Sequence, residues 1–169
     1  SSNPELIPGE ICVRGENVMA GYYKNQEATE KMIDKDGWLH TGDMGTVNND
    51  DTIFIKGRYK TMILGASGQN IYPEEIESKL NNMPFIMESL VIEKDGRLVA
   101  LVYPDYEAVD DYGIANEDLP VVMEEIRKNL NKEVAPYEQI AKIHLYPTEF
   151  EKTPKRSIKR YLYTNFSPI

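Results

Sequence analysis

The chain of 169 residues is 41% hydrophobic and 28% charged, the balance of a globular protein with room for one ordinary domain or two small pieces. Its net charge of −9 argues against nucleic acid as the main partner, because phosphate binding needs a basic surface. No apolar run approaches the roughly 18 residues of a membrane span, and the single cysteine, Cys12, excludes an internal disulfide and a CxxC metal site.

The opening "SSNPELIPGE" has no basic patch followed by an apolar stretch, so no signal peptide is expected. A start at serine instead of methionine suits a processed or excised chain. "GEICVRG" (9–15) alternates as a strand, with Ile11 and Val13 on one face and Cys12 as a half-buried strand residue. Asn25 caps a short helix through "QEATEKMI", which the turn residues "DKDG" end. Strands at 38–40 and 44–47 follow, and "NNDD" (48–51) turns the chain into "TIFIKG" as a hairpin. Residues 1–59 are thus mostly short β elements. Without obvious partners of their own, they read as the end of a larger sheet or barrel.

Beyond Lys60 the texture changes. "YPEEIESKL" sets Pro73 in a helix first turn, with Glu74 and Glu75 beside the positive end of the helix dipole and Ile76 and Leu80 on one face. "SLVIEKDGRLVALVY" reads as a hairpin turning at Asp95-Gly96. "DYEAVDDYGIANED" (105–118) has six acids and no base and reads as solvated surface. "DLPVVMEEIRKNLNKEV" carries apolar residues at 119, 122, 123, 126 and 130, a helical stripe capped by Asp118 and ended by Ala135-Pro136. "QIAKIHLY" is a further strand, and "KTPKRSIKR" (152–160) has five bases and no acid. The expected class is α+β: a short β-rich piece, then a small sheet with helices packed against it.

No GxxxxGK or GxGxxG loop, HExxH, GxSxG or EF-hand pattern occurs. His40 and His144 stand alone in sequence, and no metal ligand set is expected. The informative stretch is 41–77, "TGDMGTVNNDDTIFIKGRYKTMILGASGQNIYPEEIE". A glycine before Asp43 lets the backbone come close to a ligand, so that the carboxylate can meet a pair of hydroxyls. The guanidinium of Arg58, also preceded by a glycine, can hold the same ligand by a second edge.

Four segments in order, "GEICVRGENVMAGYYKNQEAT", "GWLHTGD", "GRYKTMILGASGQNIYPEEIE" and the basic "KTPKRSIKR", resemble the acyl-adenylate-forming ligases, the superfamily of acyl-CoA synthetases, firefly luciferase and peptide-synthetase adenylation domains. The resemblance covers nearly the whole chain. It implies that residues 1–59 end the β-rich part of a large domain, that Lys60 is the hinge, and that 60–169 form a lid domain that adopts one orientation for acyl-AMP formation and another for thioester formation. It implies that Asp43 and Arg58 hold the ribose of ATP and that Gly68 lines the pantetheine passage of CoA.

The resemblance also exposes a departure. The family's lid ends in a pattern like G-K-[hydrophobic]-x-R, whose lysine reaches the reacting carboxylate and the α-phosphate. Alignment on Ile158 and Arg160 puts Ser157 at that position, flanked by Lys155 and Lys159. In extended backbone these three side chains share one side, with alternate positions roughly 6–7 Å apart, so Lys159 or Lys155 becomes the candidate catalytic residue. The implied activity is that of an ATP-dependent fatty acid–CoA ligase using ATP, Mg2+ and CoA. The lid segment "YPDYEAVDDYGIANEDLP" and the ending "TPKRSIKRYLY" point to the long-chain fatty acyl subfamily. An aryl- or aminoacyl-adenylating enzyme, or a non-catalytic nucleotide- or CoA-binding module, is the alternative. The expected partners are an upstream large domain of the same protein and its small-molecule substrates, in the cytoplasm, and the chain alone is expected to be inactive.

Overall fold

A computed structural model describes residues 3–165, which divide into two compact units, the first ending at Met62 and the second beginning at Ile63. In the first unit, β1 (Gly9–Val13), α1 (Gln26–Met32), β2 (Leu39–Val47) and β3 (Ile53–Arg58) follow in order, and the strands form one antiparallel sheet, β1-β2-β3. The strands therefore find partners in one another, contrary to the expectation that they lack them. Asn25 caps α1 by accepting the Ala28 amide at 3.0 Å, and an i,i+4 pair, Glu27 with Lys31, runs along its exposed face.

Two strands are expected at 38–40 and 44–47, but one continuous strand forms. Pairing with β1 holds residues 39–40 and 44–45, and pairing with β3 takes over at Asp43. Residues 41–43 are thus a bulge towards β1. Gly42 sits at φ +72°, a conformation that costs glycine little and other residues considerably more. Strand β3 forms an edge of the sheet and leaves Ile53, Phe54 and Ile55 exposed at 53%, 51% and 68%.

The second unit opens with a two-stranded hairpin, β4 (Ile63–Leu64) and β5 (Asn70–Ile71), closed by Gly65 donating to the Gln69 carbonyl at 2.8 Å. Pro73 then starts α2 (Pro73–Asn81), where its missing N–H leaves no extra amide unsatisfied. The long hairpin β6 (Ile86–Lys94) and β7 (Arg97–Pro104) turns at Asp95 and Gly96, both at positive φ (50° and 72°), as a two-residue hairpin turn of this type requires. Strand β8 (Ile140–Leu145) returns parallel to β7 after α3 (Tyr106–Asp111) and α4 (Leu119–Glu133).

The β6-β7-β8 sheet is buried on both faces, which is why "SLVI" and "LVALV" read as unbroken apolar runs. On one face Val91, Ala100 and Val102 pack with Ile76 and Leu80 of α2 and with Met123, Ile126 and Leu130 of α4. On the other, Leu90, Ile92 and Leu101 lie under Phe150 and Tyr163, whose rings cluster with Tyr146 at centroid distances of 5.1–5.4 Å. Each such buried side chain contributes about 1.5–3 kcal/mol, so the segment after β8 is part of the core.

Two expectations need correction here. Residues 105–118 are more than solvated surface: Asp105 accepts the Ala108 amide at 3.1 Å and starts α3, which buries Val109 completely. Asp118 makes no side-chain cap on α4, because it closes a short 3-10 turn (Asn116–Asp118) that runs directly into the helix.

Candidate functional site

Residues 41–43 and their surroundings form the candidate site of the first unit. The Thr41 hydroxyl donates to the Ile11 carbonyl at 2.7 Å and accepts from the Asp43 amide at 3.1 Å. The Gly42 amide donates to Glu10 Oε1 at 3.2 Å. The bulge is therefore pinned at both ends, and a Cβ on Gly42 would also lie 3.5 Å from Arg58 Nη2.

Asp43 faces Arg58 across β2 and β3, which puts both side chains on the same sheet face. Arg58 Nη1 stands 3.0 Å from Asp43 Oδ1, with the two side chains 57% and 31% exposed. An ion pair this open contributes about 0–1 kcal/mol to stability. The sheet register thus presents a carboxylate and a guanidinium side by side at small energetic cost, both within reach of solvent. Such a pair can accept two hydroxyl donors and donate to a neighbouring oxygen at once.

Beside the bulge lies a cluster the sequence reading does not anticipate. His40 Nδ1 is 2.8 Å from Glu10 Oε2, its Nε2 is 3.6 Å from Asp34 Oδ2, and Cys12 Sγ is 3.6 Å from Nδ1. The hydrogen bond to Glu10 raises the imidazole pKa. Burial pushes the Cys12 thiol up, and Glu10 and Asp34 add to that. The Trp38 amide, first among its contacts, holds the Asp34 carboxyl low. Cys12 and His40 are register partners on β1 and β2. Nothing local in the sequence encodes that pairing, since 28 positions separate the two residues.

Lys60 lies in an exposed 3-10 turn, Tyr59–Thr61, directly after β3. In the second unit, Gly68 sits in the β4–β5 turn at φ +83° and donates to the Gly65 carbonyl at 2.9 Å; a Cβ there would meet nothing within 4 Å. Beside this turn runs a groove of about 530 Å³, bounded by Gly65, Ser67, Gln69, Arg97, Arg127 and Tyr137. The Gln69 Oε1 atom is buried there without a partner.

The basic segment departs from the extended geometry expected for it. Residues 152 and 158 form an antiparallel bridge, Thr153 donates to the Ser157 carbonyl at 2.8 Å, and Arg156 turns the chain at φ +62°. Lys155 and Ser157 therefore stand on the exposed tip and return of a tight turn, not on a common strand with Lys159. Lys159 Nζ lies 3.2 Å from Glu151 Oε2, and that hydrogen bond raises its pKa.

The turn is fixed to the body of the unit from its far side. Arg160 Nη2 pairs with Glu77 Oε2 at short range, and Nη1 donates to the Val91 carbonyl at 3.3 Å. The other Glu77 oxygen accepts the Val91 amide at 2.6 Å. Burial pushes the Glu77 carboxyl up to about 7, opposed by Arg160 and by the Val91 N–H. The sequence reading does not anticipate this pair either.

No family model matches the chain. Among curated proteins it is 39% identical over 160 residues to a 4-coumarate–CoA ligase (number 5) of Oryza sativa, a match covering 94% of this chain and 28% of that one. Among solved structures, ATP-bound MatB from Rhodopseudomonas palustris superposes with a TM-score of 0.72 at 26% identity, over 96% of this chain and 31% of that chain. MenE, the o-succinylbenzoate CoA synthetase of Bacillus subtilis in complex with its acyl-adenylate intermediate OSB-AMP, gives 0.77 at 25%, over 96% and 31%. The homologues and structural neighbours of this chain are thus adenylate-forming ligases, and its mixed α+β fold matches their C-terminal portion. Two of these three are named for CoA, the rice protein as a CoA ligase and MenE as a CoA synthetase, and the chain spans less than a third of the length of each of the three. No helix among the described residues is long and apolar enough to cross a membrane.

Proposed function

We propose that this chain is the C-terminal part of an AMP-forming carboxylate–CoA ligase, in which Asp43 and Arg58 hold the ribose of ATP. The observation that carries this reading is the Asp43–Arg58 pair, 3.0 Å apart on a pinned bulge and open to solvent. The ribose hydroxyls donate to the carboxylate, and the guanidinium donates to a ribose oxygen. Hydrogen bonds to a charged group contribute about 1.5–3 kcal/mol. In the complete enzyme Asp43→Ala should therefore raise the Kd for ATP at least about tenfold, while circular dichroism stays that of wild type because the ion pair itself adds little stability. An unchanged Kd would refute the assignment.

The reaction is carboxylate plus ATP to acyl-AMP and pyrophosphate, then attack of the CoA thiol to release AMP. Lys60 is the hinge between residues 1–59 and the lid formed by 60–169. Gly68 and the groove beside it lie on the path of the pantetheine arm. Mg2+ takes oxygen ligands, and the Asp43 carboxylate already faces a guanidinium, so its partners would be the ATP phosphates and residues outside this chain. An upstream large domain supplies the acyl pocket, and the chain alone does not turn over. The acid is an aromatic carboxylate, not the long-chain fatty acid expected from the sequence, because the rice relative is named for 4-coumarate. Acid-dependent pyrophosphate exchange in the complete enzyme, compared between 4-coumarate and fatty acids of increasing length, decides between the two.

A further inference from the structure

We propose that Glu10, Cys12 and His40 form a binding site for a thiophilic divalent cation, with Zn2+ as its natural probe, and that Asp34 orients the histidine from behind. One donor atom from each of the three residues lies within 4.8 Å of the other two, in the first unit. A thiol, an imidazole and a carboxylate form a donor set suited to Zn2+, whereas Mg2+ and Ca2+ seek oxygen alone.

The separations suit the ion. Tetrahedral zinc with the usual bond lengths places sulfur and nitrogen ligands about 3.6 Å apart and nitrogen and oxygen ligands about 3.4 Å apart. Cys12 Sγ and His40 Nδ1 are 3.6 Å apart, and Nδ1 and Glu10 Oε2 are 2.8 Å apart. The Glu10 carboxylate has to retreat from Nδ1 by about 0.6 Å, and its side chain is 36% exposed. The second Glu10 oxygen is held by the Gly42 amide. The remaining imidazole nitrogen, Nε2, faces the Asp34 carboxylate at 3.6 Å, the arrangement in which a carboxylate fixes the tautomer of a metal-bound histidine. A fourth position is left for water.

The electrostatics point the same way. Three side chains with acidic or ionisable donors converge on one spot. When a divalent cation binds, the Cys12 S–H bond and the His40 Nδ1–H bond that faces Glu10 both break, the two protons leave to solvent, and the freed sulfur and nitrogen electron pairs form the bonds to the metal. The bound ion would tie β1 to β2 immediately beside the bulge that carries Asp43.

The test uses the full-length protein and three probes. Competition against a chromophoric chelator should show one equivalent of Zn2+ held by wild type, with affinity reduced at least tenfold in Cys12→Ser and 10–100-fold in Asp34→Asn, the usual range for an orienting partner. With Co2+, the wild-type minus Cys12→Ser difference spectrum should contain a thiolate-to-metal charge-transfer band. Zn2+ should also slow alkylation of Cys12 in wild type, mapped by peptide mass spectrometry, and this protection should vanish in His40→Gln. The last readout needs no cysteine variant to fold. The proposal is overturned if Cys12 is alkylated at the same rate with and without Zn2+, or if Cys12→Ser folds and binds Zn2+ as tightly as wild type.

Discussion

Replacing Ser157 by lysine should raise acid-dependent pyrophosphate exchange in the complete enzyme by up to about a thousandfold. A unit charge 4 Å from a developing negative charge is worth about 4 kcal/mol at an effective dielectric near 20. Realised only in the transition state, that is nearly three orders of magnitude in rate. Serine supplies no such charge. Ser157 is exposed, and its contacts within the turn are made by its backbone, whose N–H donates to Thr153 Oγ1 at 3.3 Å and whose carbonyl accepts from Thr153. A lysine there keeps both contacts and projects into solvent, so the fold tolerates it. If Ser157→Lys changes nothing while Lys155→Ala or Lys159→Ala abolishes exchange, the flanking lysine already does the work. Between the two, Lys159 is the more encumbered, because it must leave Glu151 before it can reach a substrate.

The second large effect concerns stability. Glu77→Ala should cost the second unit about 3 kcal/mol in urea denaturation, the lower end of the penalty for breaking a buried pair. It strands the Val91 amide and takes from Arg160 the nearer of its two carboxylates, leaving Glu74 Oε1 at 3.7 Å. A double replacement, Glu77→Leu with Arg160→Met, should recover most of the loss, since a buried pair can be exchanged for apolar packing at little net cost. Loss of less than about 1 kcal/mol in Glu77→Ala, the range of an exposed pair, would show that the pair is solvated. The pH dependence has a definite sign. Burial raises the Glu77 carboxyl from 4.5 to about 7 in the folded state. The native chain therefore holds a proton there that the unfolded chain has released, and this contribution is fully present below pH 4.5 and fades as pH rises to about 7. Glu77→Gln, which cannot titrate, should flatten the stability profile across that window.

Elements governed by local chemistry are legible in the amino-acid sequence itself. Asn25, Pro73 and the Asp95-Gly96 turn announce α1, α2 and the β6–β7 hairpin, because caps and positive-φ turns act over a few residues. The stripe at 119, 123, 126 and 130 likewise marks the buried face of α4. Asp43 and Arg58 are legible singly, as motif residues. Their closeness depends on the register of β2 against β3, which no short stretch encodes. The same holds for Cys12 with His40 and, across 83 positions, for Glu77 with Arg160. The acidic run 105–118 misleads because composition is read there in place of periodicity: Val109 is one apolar residue among charges, yet it is wholly buried. The basic segment misleads for a different reason. Arg156 adopts a left-handed conformation that a non-glycine residue rarely announces.

The bare flank of β3 has a practical consequence. Three consecutive bulky residues, Ile53, Phe54 and Ile55, stand open on a strand whose outer hydrogen-bonding groups have no neighbouring strand in the sheet among the described residues. Nature usually blunts such a border with charge, proline or a covering element. Purified by itself, this polypeptide should clump as its concentration rises, and a lysine in place of Phe54 should keep it dispersed.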